Sequence, residues 1–368
     1  MRRLIYIFII GLLLCSYTWA DGSRYASKSL LSEGKWVKIR VDKTGIYKLS
    51  YADLKNMGFS DPSKVSVHGY GGWPLDEDFS KEYIDDVPST PVWRGSDYLL
   101  FYGKGPVKWE YDSSSQTFVH TNNPYSLYGY YFVTDATPTN DMTSVAQASG
   151  ATNRITTYDD YLVHEQELVS LAKSGRELYG EDFSGATPRT LSTFSSIPGI
   201  TNEDAKVTMS FVSKVTSGTG VASLSINQSN VLDVSIRSNR EEYVKALEGV
   251  STAVWKGEKS EKNSVVVSYN SASHNNVRLN YVRLHFKRTL QPYGAYTFFR
   301  SIASIGNVSR FVVQGANANT LVFDVTDAQR VRLMETELNG SELTFSIPAG
   351  TLREFVLVRT DQSFISPE

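Results

Sequence analysis

Five histidines, scattered carboxylates and one cysteine are the side chains in this 368-residue sequence that could do proton or nucleophile chemistry. Catalysis needs them in constellations: a nucleophile beside a base, a metal-ligand spacing, or paired carboxylates in a cleft. His68, His120, His164, His274 and His285 fall into no metal-binding pattern. His164-Glu165 has no second histidine four positions on. It is therefore not a zinc-protease signature, and it reads as a hydrogen-bonded structural pair or an exposed strand face. Asp76-Glu77-Asp78 and Asp85-Asp86 bracket an acidic loop without the regular ligand spacing of a calcium loop. Gly69-Tyr70-Gly71-Gly72 and Gly103-Lys104-Gly105 are glycine-rich, yet neither opens a helix with Lys-Ser or Lys-Thr. They read as turns, not phosphate cradles. No metal or cofactor is expected. Asp159, Asp160 and Glu181 are the carboxylates an acid–base enzyme would use, and their chemistry depends on their separation in space.

The lone cysteine, Cys15, belongs to a stretch with its own explanation. Arg2 and Arg3 make a basic start, Leu4 to Cys15 an apolar run, and Thr18-Trp19-Ala20 a small-residue cleavage site. Residues 1–20 thus read as a signal peptide, with an apolar run too short to span a bilayer. Export to the periplasm or beyond follows. Once the leader is cut away, no disulfide, thiolate metal site or cysteine nucleophile is possible, so the chain is not expected to be a cysteine enzyme by itself. Two of the 37 basic residues leave with the leader, so 35 face 39 acidic ones. That balance gives no electrostatic footprint for nucleic acid.

Few helices are available to position anything. Residues 21–33 are small and polar and read as an unstructured leader. Trp36–Val41 alternates apolar and charged residues with period two, and Asp42–Gly45 is turn chemistry. Ile46–Leu49 is then expected to return as the hairpin partner. Ser50 can cap a short helix carrying Leu54 and Met57, which Gly58 ends. Strands are expected at 64–68, 97–102, 118–120 and 128–134, and residues 136–155 read as an exposed loop or a domain seam. The period of Thr156–Phe183 does not decide between helix and strand.

From Lys206 the two-residue period is cleaner. Val207, Met209 and Phe211, then Leu224 and Ile226, then Leu232, Val234 and Ile236 mark strands, followed by Val265–Tyr269 and Val277–Lys287. Within the last, the apolar face switches after Tyr281, which implies a bulge or a strand covered on both faces. Further strands are expected around Phe311, Leu321, Val331, Leu343 and Phe355, with Asn339-Gly340 as a hairpin turn. The fold class is all-β. It comprises a β-rich amino-terminal domain with one short helix (34–150), a β-sandwich of jelly-roll type (151–290) and a strand-rich segment (291–368).

The run Lys43–Gly58, followed by Val65–Gly72 and Asp97–Trp109, resembles the amino-terminal region of the PorU family. These are gingipain-related sortases of the type IX secretion system of Bacteroidetes. Asn123–Tyr125 with Gly129–Phe132, the pair His164-Glu165 with Ser174–Glu181, and Phe323–Asp327 with Leu352–Val356 extend the resemblance through nearly the whole mature chain. The Ser174–Glu181 knot is the most specific, framed by Gly175 and Gly180, although Leu178 stands where the family usually has tryptophan. The motif positions are Gly45, Tyr47, Gly71, Gly72, Tyr102, Gly103, Trp109, His164, Glu165, Gly175, Arg176, Glu177, Tyr179, Gly180 and Glu181, all in structural or interface roles. Arg176, Glu177, Tyr179 and Glu181 are expected to be buried or at an interface, since a buried arginine needs a carboxylate.

The resemblance implies cell-surface proteins that remove the carboxy-terminal signal of secreted cargo and join the cargo to a lipopolysaccharide anchor. They do so with a Cys-His pair and outer-membrane partners. Its cysteine-peptidase domain is expected to begin about where this chain stops, and none of its catalytic residues maps here. The expected role is a non-catalytic scaffold or docking region, with a peptidase domain in cis or encoded separately and outer-membrane secretion proteins as partners. The alternative is a stand-alone sandwich binding carbohydrate or the cell surface. It is motivated by Trp73, Trp93, Tyr102, Trp109, Tyr111, Tyr125, Tyr128, Tyr130 and Tyr131, which sheet packing also explains.

Overall fold

A computed structural model describes residues 25–368 apart from 79, 82, 83, 172, 174, 240–243, 245 and 273. Residues 1–20, read from the sequence as a signal peptide, lie with Cys15 outside the described residues. Within the leader, Leu30–Ser32 forms a 3-10 turn, where the sequence suggested no structure. Asp86 holds it, accepting from the Leu30 amide at 2.6 Å and the Ser29 hydroxyl at 2.8 Å.

The first hairpin expectation fails. Trp36–Val41 pairs antiparallel with Gly129–Thr134, while Gly45–Ser50 pairs with Tyr98–Gly103 in a different sheet. Burial explains the split. Gly45–Ser50 is covered on both faces, Tyr47 and Leu49 packing into the amino-terminal core and Ile46 into a cluster with Phe323, Val356 and Val358. Its partner behaves alike, with Leu99 and Phe101 on one side and Leu100 and Tyr102 on the other. A strand buried on both faces reads as a continuous apolar run and needs partners within its own layer. This small sheet is therefore a middle layer between two cores. The helix Tyr51–Asn56 forms as expected, Ser50 Oγ accepting from the Asp53 amide at 3.0 Å and Gly58 closing it at φ +87°.

A nine-stranded sheet runs through the rest, continuous across the boundary drawn at residue 290. Its order is Ser144–Val145, Arg332–Met334, Thr320–Asp324, Glu354–Arg359, Tyr296–Arg300, Thr157–Glu165, Val277–Thr289, Ala205–Ser213 and Leu247–Trp255. The last four strands face the sheet Arg189–Thr190, Val265–Tyr269, Thr219–Ile226 and Ser229–Arg237 across one apolar core. Taken in chain order from Thr157, the first, eighth, third and sixth strands face the second, seventh, fourth and fifth. This is the strand order of a jelly roll. The other end of the long sheet is covered by Asn153–Ile155, Asn307–Val313, Glu342–Ala349 and Glu337–Asn339 through Phe299, Phe311, Phe345 and Phe355.

Two sandwiches thus share one sheet, joined only where Asp159 pairs with Arg300. The face switch in Val277–Thr289 is a bulge: Ser210 pairs with Tyr281 but Phe211 with Leu279, leaving Asn280 extra. Leu247–Trp255, unforeseen in the sequence, is an edge strand whose Val250 and Val254 face solvent. The tail returns to the amino-terminal unit, the Lys48 amide donating to Ile365 O at 2.9 Å and the Arg40 amide to Glu368 O at 2.8 Å.

Candidate functional site

Alternation along Thr157–Glu165 sends neighbouring side chains to opposite faces of the sheet, and this decides the fate of His164-Glu165. The two residues do not pair with each other. His164 Nε2 meets Glu181 at 2.7 Å and its Nδ1 meets Thr193 at 2.9 Å, inside the jelly roll. Glu165 accepts from His120 at 2.7 Å and Asn122 at 2.8 Å on the other face. That second face carries the amino-terminal unit. The hairpin Val107–Asp112 and Thr117–Asn122 lies on it, Trp109 stacking on Tyr161 with ring centres 4.0 Å apart and Phe118 meeting His285 edge-on at 5.0 Å.

Beside these rings the two sandwiches meet in a buried charged cluster. Asp159, 1% exposed, accepts from His285 at 3.0 Å, Lys287 at 2.8 Å and the Ile302 amide at 2.7 Å. Burial alone would raise its pKa, but these partners outweigh burial and hold it below the ordinary aspartate value. Arg288 bonds Asp160 at 2.8 Å. Arg300, also 1% exposed, donates to Asp159 O at 3.1 Å, reaches Glu354 at 2.7 Å and lies over the Tyr161 ring at 4.4 Å. Every carboxylate here is engaged by cations. Glu181 meets the sheet at His164, five residues along the strand from Asp159 and on the order of 15 Å from it by strand rise. Asp159 and Asp160 do not converge with it on a common cleft.

The other candidate ligands are spoken for. His68 contacts Thr137 at 2.8 Å, and His274 contacts the Tyr269 hydroxyl. Asp76 pairs with Lys81, and Asp78 caps Ser80. Among the described residues no three His, Cys, Asp or Glu side chains group as a metal site.

No protein-family model matches the chain, and no curated protein matches it. Among solved structures, dimeric latent PorU from Porphyromonas gingivalis aligns with a TM-score of 0.87 and 30% identity, over 94% of this chain and 33% of that one. This chain is a PorU-like region. It spans about a third of the length of that PorU. A Paenibacillus cycloisomaltooligosaccharide glucanotransferase (7% identity, TM-score 0.21, 58% of this chain and 45% of that one) shares too little to carry an argument. The same holds for infectious bursal disease virus strain Gx (9%, TM-score 0.21, 90% and 84%).

The remaining motif positions named from the sequence fall apart from the His164–Glu165 face. Gly45 and Gly103 pair across their strands and leave room for the Tyr47 ring and the Tyr296 hydroxyl, while Tyr102 packs on Phe298 at 5.9 Å. Tyr47 donates to Lys43 O at 2.8 Å, and burial raises its pKa. Gly71 has φ +76° with Lys104 and Tyr131 against it. Gly72 lies so close to Gly105 and Gly129 that a Cβ would stand 2.9 Å from both backbones, which is why this corner is glycine-rich. The sequence suggested turns here, but Gly69 and Gly71 lie in the strand Ser66–Gly71, whose register shifts between His68 and Gly71, and Gly103 ends the strand Tyr98–Gly103.

The Ser174–Glu181 knot, whose Ser174 lies outside the described residues, is not buried at Arg176. That side chain is 57% exposed and reaches Glu77, itself 67% exposed, at 2.6 Å. The turn at Gly175, φ +71°, projects it outward toward the amino-terminal unit. Glu177 is exposed and accepts from the Tyr179 hydroxyl at 3.0 Å. Tyr179 is buried, Gly180 donates to Leu279 O at 2.8 Å, and Glu181 is half-buried on His164. Of the nine aromatics noted in the first unit, only Tyr125 is exposed, at 82%.

Sequence reasoning missed the Asp159–Arg300 cluster as an element of assembly. The available signal was Tyr158-Asp159-Asp160-Tyr161, an acidic pair flanked by tyrosines inside a strand. Lys104 was missed too. It is 8% exposed, lies 4.7 Å over Trp73, and burial lowers its pKa to about 8.

Proposed function

We propose that this chain is a non-catalytic scaffold or docking region of a type IX secretion sortase, exported to the periplasm or the cell surface. The observation that carries the reading is the alignment with PorU over nearly the whole chain. The absence of any cysteine after Cys15 supports it, because a PorU-type Cys-His pair then has no thiol here. The role of such a scaffold is to hold a peptidase domain, in cis or separately encoded, against cargo and outer-membrane partners. Its construction suits the task, since one continuous sheet with an amino-terminal unit clamped across it presents a rigid surface. The test is co-elution on size exclusion of the purified chain with a separately expressed PorU peptidase region from the same organism. A stoichiometric complex is expected, together with no cleavage of a cargo-tail peptide by the chain alone. Separate elution, or robust hydrolysis by the isolated chain, would overturn the reading.

A further inference from the structure

At the end of the second sandwich, away from the hairpin, a cavity of about 380 Å³ opens between the end of Thr320–Asp324, the start of Arg332–Met334 and the Pro348–Arg353 connection. That size lies within the range of small-ligand sites. Its floor is Asp324, 2% exposed, whose Oδ1 accepts from the Thr326 hydroxyl at 2.6 Å. Both Arg332, at 2.9 Å, and Arg353 donate to the single oxygen Oδ2. Arg330 and Asp327 form an exposed pair at 3.5 Å on the rim.

The charges do not balance. Three guanidinium groups face two carboxylates, which leaves one positive charge on the cavity wall. The Arg332 side chain is 41% exposed, so its guanidinium is open to a ligand while one N–H holds Asp324. A water molecule would leave the surplus charge in place, whereas an oxyanion neutralises it and accepts from the guanidinium N–H groups. We propose that this cavity binds the oxyanion group, phosphate or carboxylate, of a small molecule, with Arg332 and Arg353 as its principal ligands and Arg330 closing over it. The inference is independent of the sortase reading.

Calorimetric titration of the purified chain in low-chloride buffer tests it, with inorganic phosphate in one arm and acetate in the other. Saturable binding of at least one anion is expected, and the tighter of the two names the group. Arg332→Gln is expected to weaken it by about tenfold, the loss associated with one charge-assisted hydrogen bond. Arg330→Gln, at an exposed position that cannot unfold the protein, is expected to weaken it by about twofold. If Arg332→Gln fails to fold by circular dichroism, Arg332→Lys keeps the charge, removes the fork and carries the same tenfold expectation. No saturation by either anion, or equal affinity in wild type and the folded Arg332 variant, would overturn the proposal.

Discussion

The strand Thr157–Glu165 meets its neighbours through two junctions of opposite chemistry. Toward the amino-terminal unit it offers rings: Tyr161 under Trp109 and Phe118, with one His120–Glu165 pair at the edge. Toward the second sandwich it offers charges: Asp159 and Asp160 meet Arg300, with His285, Lys287 and Arg288 of the neighbouring jelly-roll strand completing the cluster. Aromatic stacking gains from area and tolerates small displacements. A buried ion cluster is favourable only when every partner is present, and it fixes register for that reason. The first junction is built to adhere, the second to align. The alignment sits where the strands of the two sandwiches pair at the single register position Asp159–Arg300.

The largest effect should come from the charged junction. Arg300→Ala is expected to lower unfolding free energy by about 3–5 kcal/mol, because Glu354 loses its cation and Asp160 is left with Arg288 alone. Arg300→Met restores volume but not charge, so a loss nearly as large in urea titration would show that charge matters here, and a small loss that packing does.

Lys104 gives the complementary case, a buried cation whose close neighbours are the rings of Tyr70 and Trp73. Its folded pKa of about 8 lies below the ordinary 10.5, so the unfolded state holds more protons between those values. Stability attributable to this group therefore rises with pH from about 8 to 10.5, and the penalty is full below about 8. Lys104→Met is expected to stabilise the protein by about 3 kcal/mol at pH 7, with the advantage fading above pH 8. Melts at pH 7 and pH 9.5 check it.

Trp109→Ala should lose about 2 kcal/mol and expose the hairpin to limited proteolysis while the jelly roll stays protected. Unfolding of both regions together would erase the distinction between adhesion and alignment. The smallest effect belongs to Arg176→Ala. Its pair with Glu77 is exposed at both ends, so a change of less than about 0.5 kcal/mol in urea unfolding is expected.

The jelly roll was legible because its strands each keep one apolar face, so period two survives in Ala205–Ser213, Thr219–Ile226 and Ser229–Arg237. Leu247–Trp255 was not, since its inward positions are Gly249, Ser251 and Ala253 and its valines point outward. The candidate site was legible only in outline. His164 and Glu165 were marked as a hydrogen-bonded structural pair or an exposed strand face, but His120, Glu181 and Thr193 arrive from distant segments that no local pattern connects to them.

Composition and local patterning alone determined that this chain is all-β, where its helix starts and stops, and that no thiol follows Cys15. Those properties depend on neighbours in sequence: side-chain period, capping groups and residue count. Pairing of Trp36–Val41 with Gly129–Thr134, the opposite destinations of His164 and Glu165, and the burial of Arg300 were decided by the tertiary structure. A strand's partner and a charge's counter-ion are set by which surfaces meet once the chain has packed, and alternating residues carry only half of that information.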